Sequence, residues 1–406
     1  MELLRIRDFR LILAAFALSS VGDLLAMMAL TLRVHDTTHS GMAVAALMVA
    51  GMVPLVLLAP LAGLVVDRFE TVKVLVGAAA FQAAVAVGLA FANGLPAIVV
   101  LVFALGAGWA LEGPAIFALL PRVTGEGRMT EGNAYLETAR SAGAALGPLL
   151  GGGLVAGLGT KIALLGDAGT FVVLAAAALA LKVRRPPESG GSHRVGEPAR
   201  EQAREGMRFI LRHRLLLLVA VVVSAMVLFA AIQNVAEVFF VKDVMHGGDA
   251  GYGGLMGTWM VGMLIGNTLI AGRITTSKLA RAVLVAPVIG GLVIVVLAWL
   301  PSMPLAVVIF IIGGAANGVE NVAGRSMIHH TTPDRLRGRV FSATFGLINA
   351  ASLAAMGLGG VLVALVGPRS SMLLSGVGAT AVAIAGLGLY FRIPARERAV
   401  GELPGD

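Results

Sequence analysis

The sequence predicts an all-α integral membrane protein whose twelve transmembrane helices form two pseudo-symmetric six-helix bundles around a central cavity. Three observations lead there. Hydrophobic residues fill 58% of the 406 positions and charged ones only 13%, with a mean hydropathy of +0.90, whereas soluble domains are about a quarter charged. Twelve apolar stretches reach the ~20 residues that a helix needs to cross ~30 Å of hydrocarbon. All but four of the 31 Lys and Arg residues (Arg33, Lys161, Lys242 and Arg369) fall at the alternate ends that counting assigns to one membrane face, and basic residues are retained on the cytoplasmic side.

The first span, near 10–32, follows Arg5, Arg7 and Arg10. Its apolar run is too long for a signal peptide and is followed by no small-residue cleavage site, so it is read as a crossing. Spans near 42–66, 74–92, 96–120, 137–157 and 162–181 come next, with Arg68 and Lys73, then Arg122, Arg128 and Arg140, on the basic face. Nine basic residues from Lys182 to Arg214 mark the longest polar interval, which divides the spans six and six. The second half holds spans near 215–239, 252–272, 282–300, 304–328, 341–366 and 371–391. The expected domains are therefore a bundle over 1–183, a cytoplasmic linker over 184–214, and a second bundle with a short tail over 215–406. Both termini are expected to be cytoplasmic. In the linker, Pro186, Pro187, Gly190, Gly191 and Pro198 read as flexible chain. Beyond them Arg200, Arg204, Arg208 and Arg212 recur every four residues while Ala203, Met207, Ile210 and Leu211 take another face. That pattern predicts a helix lying on the inner leaflet, with a solvated charged helix as the alternative. The halves echo each other: Pro121-Arg122 through Arg128 follows the fourth span, and Pro333-Asp334-Arg335 through Arg339 follows the tenth. Such repeats fit a carrier with its site near the midplane.

Composition also excludes. The chain has no Cys, which removes disulfides, thiolate metal sites and thiol catalysis. Its net charge of +8 sits beside apolar segments, where it meets anionic headgroups, so no nucleic-acid partner is read. No GxxxxGK[ST] loop, HExxH or GxSxG occurs, so neither ATP use, nor enzymatic chemistry, nor any metal or cofactor is expected.

Gly63-Leu64-Val65-Val66-Asp67-Arg68-Phe69, with Lys73 after it, is similar to the loop signature of the major facilitator superfamily, although Glu70 and Thr71 stand where that signature has Gly and a basic residue. Gly63 is expected to permit close helix packing, and Asp67 to meet the positive end of a neighbouring helix or an Arg. In the fifth span, Gly143-Ala144-Ala145-Leu146-Gly147-Pro148-Leu149-Leu150-Gly151-Gly152 matches the superfamily's exporter motif at every specified position. Glycines four apart make a flat packing surface and Pro148 removes a backbone donor, bending the helix. In the family that bend is thought to help close the cavity and favour antiport. Gly22-Asp23, Thr31 through Asp36, Ala118 through Pro121 and Arg337 through Val340 extend the resemblance to most of the chain. Together they resemble the twelve-span exporter branch that contains bacterial multidrug effluxers and the enterobactin exporter. The Arg that many proton antiporters of the family carry in the fourth span is missing between Val99 and Trp109.

Ionisable groups within spans are costly and mark functional sites. Four acids stand out: Asp23, Glu112, Glu237 and Glu320, in the first helices of the four three-helix repeats, which the resemblance places around the cavity. Asp23 lies thirteen residues from Arg10 and ten from Arg33, hence ~20 and ~15 Å from the two ends. Polar neighbours three or four residues away share its face and those of the other acids. These are Ser19 and Ser20 for Asp23, Gln233 and Asn234 for Glu237, and Asn317, Asn321 and Arg325 around Glu320. Trp109, one turn before Glu112, suits a flat or cationic ligand. Asp23 and Glu112 are the expected proton exchangers, because a cation and a proton compete for a buried carboxyl. Glu320 is a weaker proton-coupling candidate, since Arg325 or another basic neighbour is expected to hold it ionised. Glu237 is read as an acid at the outer water interface, and Arg33 as a further cavity residue.

These readings predict a monomeric secondary transporter that exports amphipathic small molecules against protons. Export of an endogenous metabolite such as a siderophore stays open, as does a non-transporting receptor, although the fifteen residues after Phe391 are too few for a signalling domain.

Overall fold

A computed structural model describes residues 2–184 and 199–394 and is helical throughout its regular structure. The chain divides into two compact units: Met1–Gly191 with Gly247–Gly257, and Ser192–His246 with Thr258–Asp406.

In the first unit, α1 (Arg7–Thr38) stops at His39, whose left-handed φ of 46° turns the chain while its N–H still bonds to His35 O. The second crossing is bent by 56° between α2 (Gly41–Leu57) and α3 (Ala59–Arg68). Pro60 explains the break, because its ring lacks the N–H that would continue the ladder. α4 (Thr71–Phe91), α5 (Leu95–Thr124), α6 (Met129–Leu158) and α7 (Thr160–Leu179) complete the unit's long helices. Phe9, Leu75, Leu119, Leu120 and Leu174 are buried together at its basic end. There Asp8 ties α1 to the end of α7, accepting the backbone N–H groups of Lys182 and Val183 at 2.8 and 2.9 Å.

In the second unit, α8 (Ala199–Arg212) precedes α9 (Arg214–Phe239), which continues through a π-helical turn at Phe240–Val244. α10 (Gly248–Ile265), whose residues up to Gly257 belong to the first unit, runs into a π-helical turn at Gly266–Ile270, and α11 (Leu279–Trp299) and α12 (Met303–Thr331) follow in the second. α13 (Asp334–Arg392) is unbroken except at Gly367, whose φ of 80° is non-helical. Its 59 residues would extend ~88 Å, far beyond one bilayer, so Gly367 divides the eleventh crossing from the twelfth. With that division and the bent second crossing, the described residues, all helical in their regular structure, make up twelve spans of a membrane protein.

The helix α8 covers 199–212 of the interval read as a linker, and protein covers part of its apolar face. Met207 and Ile210 pack against Leu336, Val340 and Ala343 of α13, Glu205 pairs with Arg339, and Leu211 stays exposed. The residues 185–198 predicted as flexible linker, and the tail from 395, lie outside the described residues.

Candidate functional site

The first unit buries three acids, from α1, α5 and α7, and a glutamine from α4. Asp23 on α1 accepts a hydrogen bond from Trp109 Nε1 on α5 at 2.9 Å. Glu112, one turn after Trp109, is 5% exposed. Gln82 of α4, fully buried, reaches Glu112 Oε2 at 3.3 Å and Ala78 O at 3.2 Å when its amide is oriented to donate. Gly108 makes this possible, because a side chain there would collide with Gln82. Asp167 of α7 is 1% exposed and rests against the turn of α1 that carries Asp23, since a Cβ at Gly22 would stand 2.6 Å from Asp167 Oδ1.

The glycines of the fifth span set the position of Asp23. A Cβ at Gly143 would stand 2.7 Å from Ser20, one at Gly147 2.7 Å from Leu24, and one at Gly151 3.1 Å from Met28. The row spaced by four therefore seats α6 directly on the turns of α1 that flank Asp23. Ser20, expected beside Asp23, faces this contact instead. Gly152 meets the Gly253 backbone at the start of α10, and Pro148 lies inside the α6 helix.

In the second unit, a cavity of about 690 Å³ is lined by Gln233, Asn234, Trp259, Asn317, Glu320 and Ser375, among others. Trp259 is held edge-on to Phe310, with ring centroids 5.9 Å apart, and its indole fills the space left by Gly313. A second cavity of about 890 Å³ has mostly apolar walls from α8, α9, α12 and α13 and carries Glu320, Asn321 and Arg325. Glu320 is common to both. Asn321 Nδ2 donates to Asn317 O at 2.9 Å, holding the stripe together.

Several expectations need correction. Glu320 and Arg325 form no ion pair among the described residues; five residues on a helix turn ~140° apart, so they share a cavity without meeting. Glu237 is not at a water interface: it is 3% exposed, and Oε1 has no partner. Arg33 is engaged at a helix end, donating from Nη1 to Leu89 O at 3.0 Å and from Nη2 to Ala92 O, the last carbonyls of α4. Gly63 supports no close contact, since a Cβ there meets nothing within 4 Å. In the same loop, Asp67 and Arg68 end α3, and the unusual Glu70 pairs with Lys73 at 3.1 Å and with Arg184 at 3.6 Å.

Sequence reasoning missed Gln82, Asp167 and Trp259. Each is a polar or aromatic interruption of an apolar run, the one sequence signal that marks it.

The residue profile of the Major Facilitator Superfamily matches residues 12–313 and 247–405. The MFS-type transporter YfiS of Bacillus subtilis (strain 168) is 25% identical over 371 residues, 90% of this chain and 89% of that one. The multidrug efflux pump Tap of Mycolicibacterium fortuitum is 27% identical over 357 residues, 82% and 84% of the two chains. Among solved structures, a bacterial homologue of the human lysosomal transporter Spinster, inward-facing and occupied, aligns with a TM-score of 0.75 at 13% identity over 98% of both chains. The nucleoside transporter NupG aligns with a TM-score of 0.74 at 12% identity over 95% of this chain and 99% of that one. With the profile spanning both halves, this chain belongs to the major facilitator superfamily and is a membrane transporter rather than an enzyme.

Proposed function

We propose that the protein is a proton-coupled antiporter that exports amphipathic cationic or neutral small molecules by alternating access, acting as a monomer in a bacterial inner membrane with both termini in the cytoplasm. The observation that carries this reading is the pairing of Asp23 with Trp109 beside the buried Glu112. Two carboxyls share a setting with no Lys or Arg paired to either among the described residues, so protons or an organic cation must neutralise them. Proton release as cargo arrives is the exchange that antiport requires.

The second unit supplies a fitting cargo surface. Trp259 offers an aromatic face, Glu320 a negative charge, and Gln233, Asn234 and Asn317 neutral donors and acceptors. An aromatic wall with few fixed polar groups suits flat amphipathic molecules of varied shape. The efflux activity named for Tap agrees with this reading.

The driving force suffices. One charge crossing ~150 mV releases ~3.5 kcal/mol, and each 1.4 kcal/mol supports a tenfold gradient, so one proton per cycle sustains a gradient of roughly a few hundredfold. The test is accumulation of a panel of cationic, neutral and anionic dyes in cells lacking other pumps, with and without a protonophore. Expression should lower cationic dye content, and the protonophore, or Asp23→Asn, or Glu112→Gln, should restore it. Export that persists in both variants and under protonophore refutes proton coupling; dye gain rather than loss refutes export.

A further inference from the structure

Asp167 lies on α7, which packs against α1 and α4. Its side chain is 1% exposed and Oδ2 has no hydrogen-bond partner. Oδ1 receives only a 3.4 Å contact from Thr170 Oγ1, whose hydroxyl donates at 2.7 Å to the Asp167 carbonyl. A bare carboxylate at this depth is costly. Room for the carboxyl comes from Gly22, where a methyl group would stand 2.6 Å from both Asp167 Oδ1 and Thr170 Oγ1. Gly22 immediately precedes Asp23, so the Asp167 carboxyl rests against the same turn of α1.

The ionisable groups nearest it are of one sign: α1 contributes Asp23, which follows Gly22, and α5 contributes Glu112, whose own side-chain partner is the neutral Gln82 of α4. No Lys or Arg forms an ion pair with Asp167 among the described residues. A lone buried acid with an open oxygen, beside two others, has a proton as its simplest partner.

We propose that Asp167 is a third proton-binding carboxyl of this transporter, trading one proton with Asp23 as cargo reaches and leaves the acids of α1 and α5. The step is a plain transfer: the O–H bond on Asp167 breaks, its electron pair stays on Asp167, and the proton joins a carboxylate oxygen of Asp23, or the reverse. The inference rests on the proton-coupled reading above.

Infrared difference spectroscopy of the full-length protein in lipid nanodiscs, stepped from acidic to alkaline buffer without cargo, tests it directly. The carbonyl band of protonated carboxyls should lose one component in Asp167→Asn, and Asp23→Asn should displace the pH midpoint of the component that Asp167 supplies. A spectrum of Asp167→Asn that superimposes on wild type overturns the proposal, as does a component blind to Asp23→Asn. Should Asp167→Asn fail to fold, Gly22→Ala serves instead: its methyl group must move the Asp167 carboxyl and shift the band, and an unshifted band again overturns the proposal. The coupling reading fails by a different result, wild-type proton flux in Asp23→Asn and Glu112→Gln vesicles.

Discussion

The indole of Trp109 on α5 donates to the carboxylate of Asp23 on α1 at 2.9 Å, joining residues 86 positions apart in sequence. The bond fixes one oxygen of the acid. Trp109→Phe keeps an aromatic ring and removes the donor. A hydrogen bond to a charged group contributes about 1.5–3 kcal/mol, so the variant should still fold but should exchange protons at Asp23 with a displaced pH optimum. The measurement is cargo-driven proton flux in vesicles against pH. An unchanged profile would show that the bond is structural only.

The glycines divide into two kinds, which substitution should separate. At Gly147 a Cβ would stand 2.7 Å from Leu24, whereas at Gly63 it would meet nothing within 4 Å. Gly147→Val should therefore force α6 from α1 and cost about 1–3 kcal/mol or more through overpacking. Gly63→Ala should be neutral or slightly stabilising, since Ala is the better helix former by about 1 kcal/mol. Thermal unfolding of detergent-purified protein distinguishes them. A stable Gly147→Val would mean that α1 and α6 separate easily.

Much of this was legible beforehand because membrane burial writes itself into sequence. Twelve crossings follow from apolar length and alternating basic ends, and Asp23, Trp109 and Glu112 stand out against an apolar background. What stayed hidden depends on which helix faces which. Gln82 and Asp167 gain meaning only once α4 and α7 are packed against α1 and α5. The burial of Glu237 could not be read from its place late in a span, nor could the cover over Met207 and Ile210, because periodicity gives a face but not its partner. Gly63 misled for the same reason: a motif glycine marks a possible contact, and here no neighbour approaches it.

Arg33 and Asp8 serve opposite helix ends and should behave as fasteners rather than as transport residues. Arg33 serves the terminal carbonyls of α4, where a cation also complements the helix dipole. Asp8 satisfies the two N–H groups beyond α7. Asp8→Ala leaves the part-buried N–H groups of Lys182 and Val183 without their acceptor and should cost about 1–2 kcal/mol, while Arg33→Ala, also part-buried, should cost about 1 kcal/mol. Both should lower the unfolding temperature while the rank order of exported dyes stays the same. A changed order in Arg33→Ala would return that residue to the cargo path.

Glu320 and Trp259 should divide the recognition of cargo between charge and shape. Both line the cavity of the second unit, and Glu320 also lines the neighbouring one with Asn321 and Arg325. Glu320→Gln keeps the size and polarity of the side chain but removes the charge that attracts a cation. Loss of a charge-assisted contact of about 1.5–3 kcal/mol corresponds to a roughly tenfold to hundredfold weaker affinity. Cationic dyes should therefore lose affinity while neutral dyes of the same shape keep theirs. Trp259→Leu should weaken flat dyes of either charge, by about 0.5–2 kcal/mol for a cation over the ring, and Trp259→Phe should retain most of that binding. Gly313→Ala offers a control that leaves both side chains present, because its methyl group would lie 2.7 Å from the Trp259 ring and must tilt it. Binding isotherms for matched cationic and neutral dyes, measured on purified protein, give the comparison. Equal losses for both dyes in Glu320→Gln would mean that the glutamate shapes the cavity rather than reading the charge of its cargo.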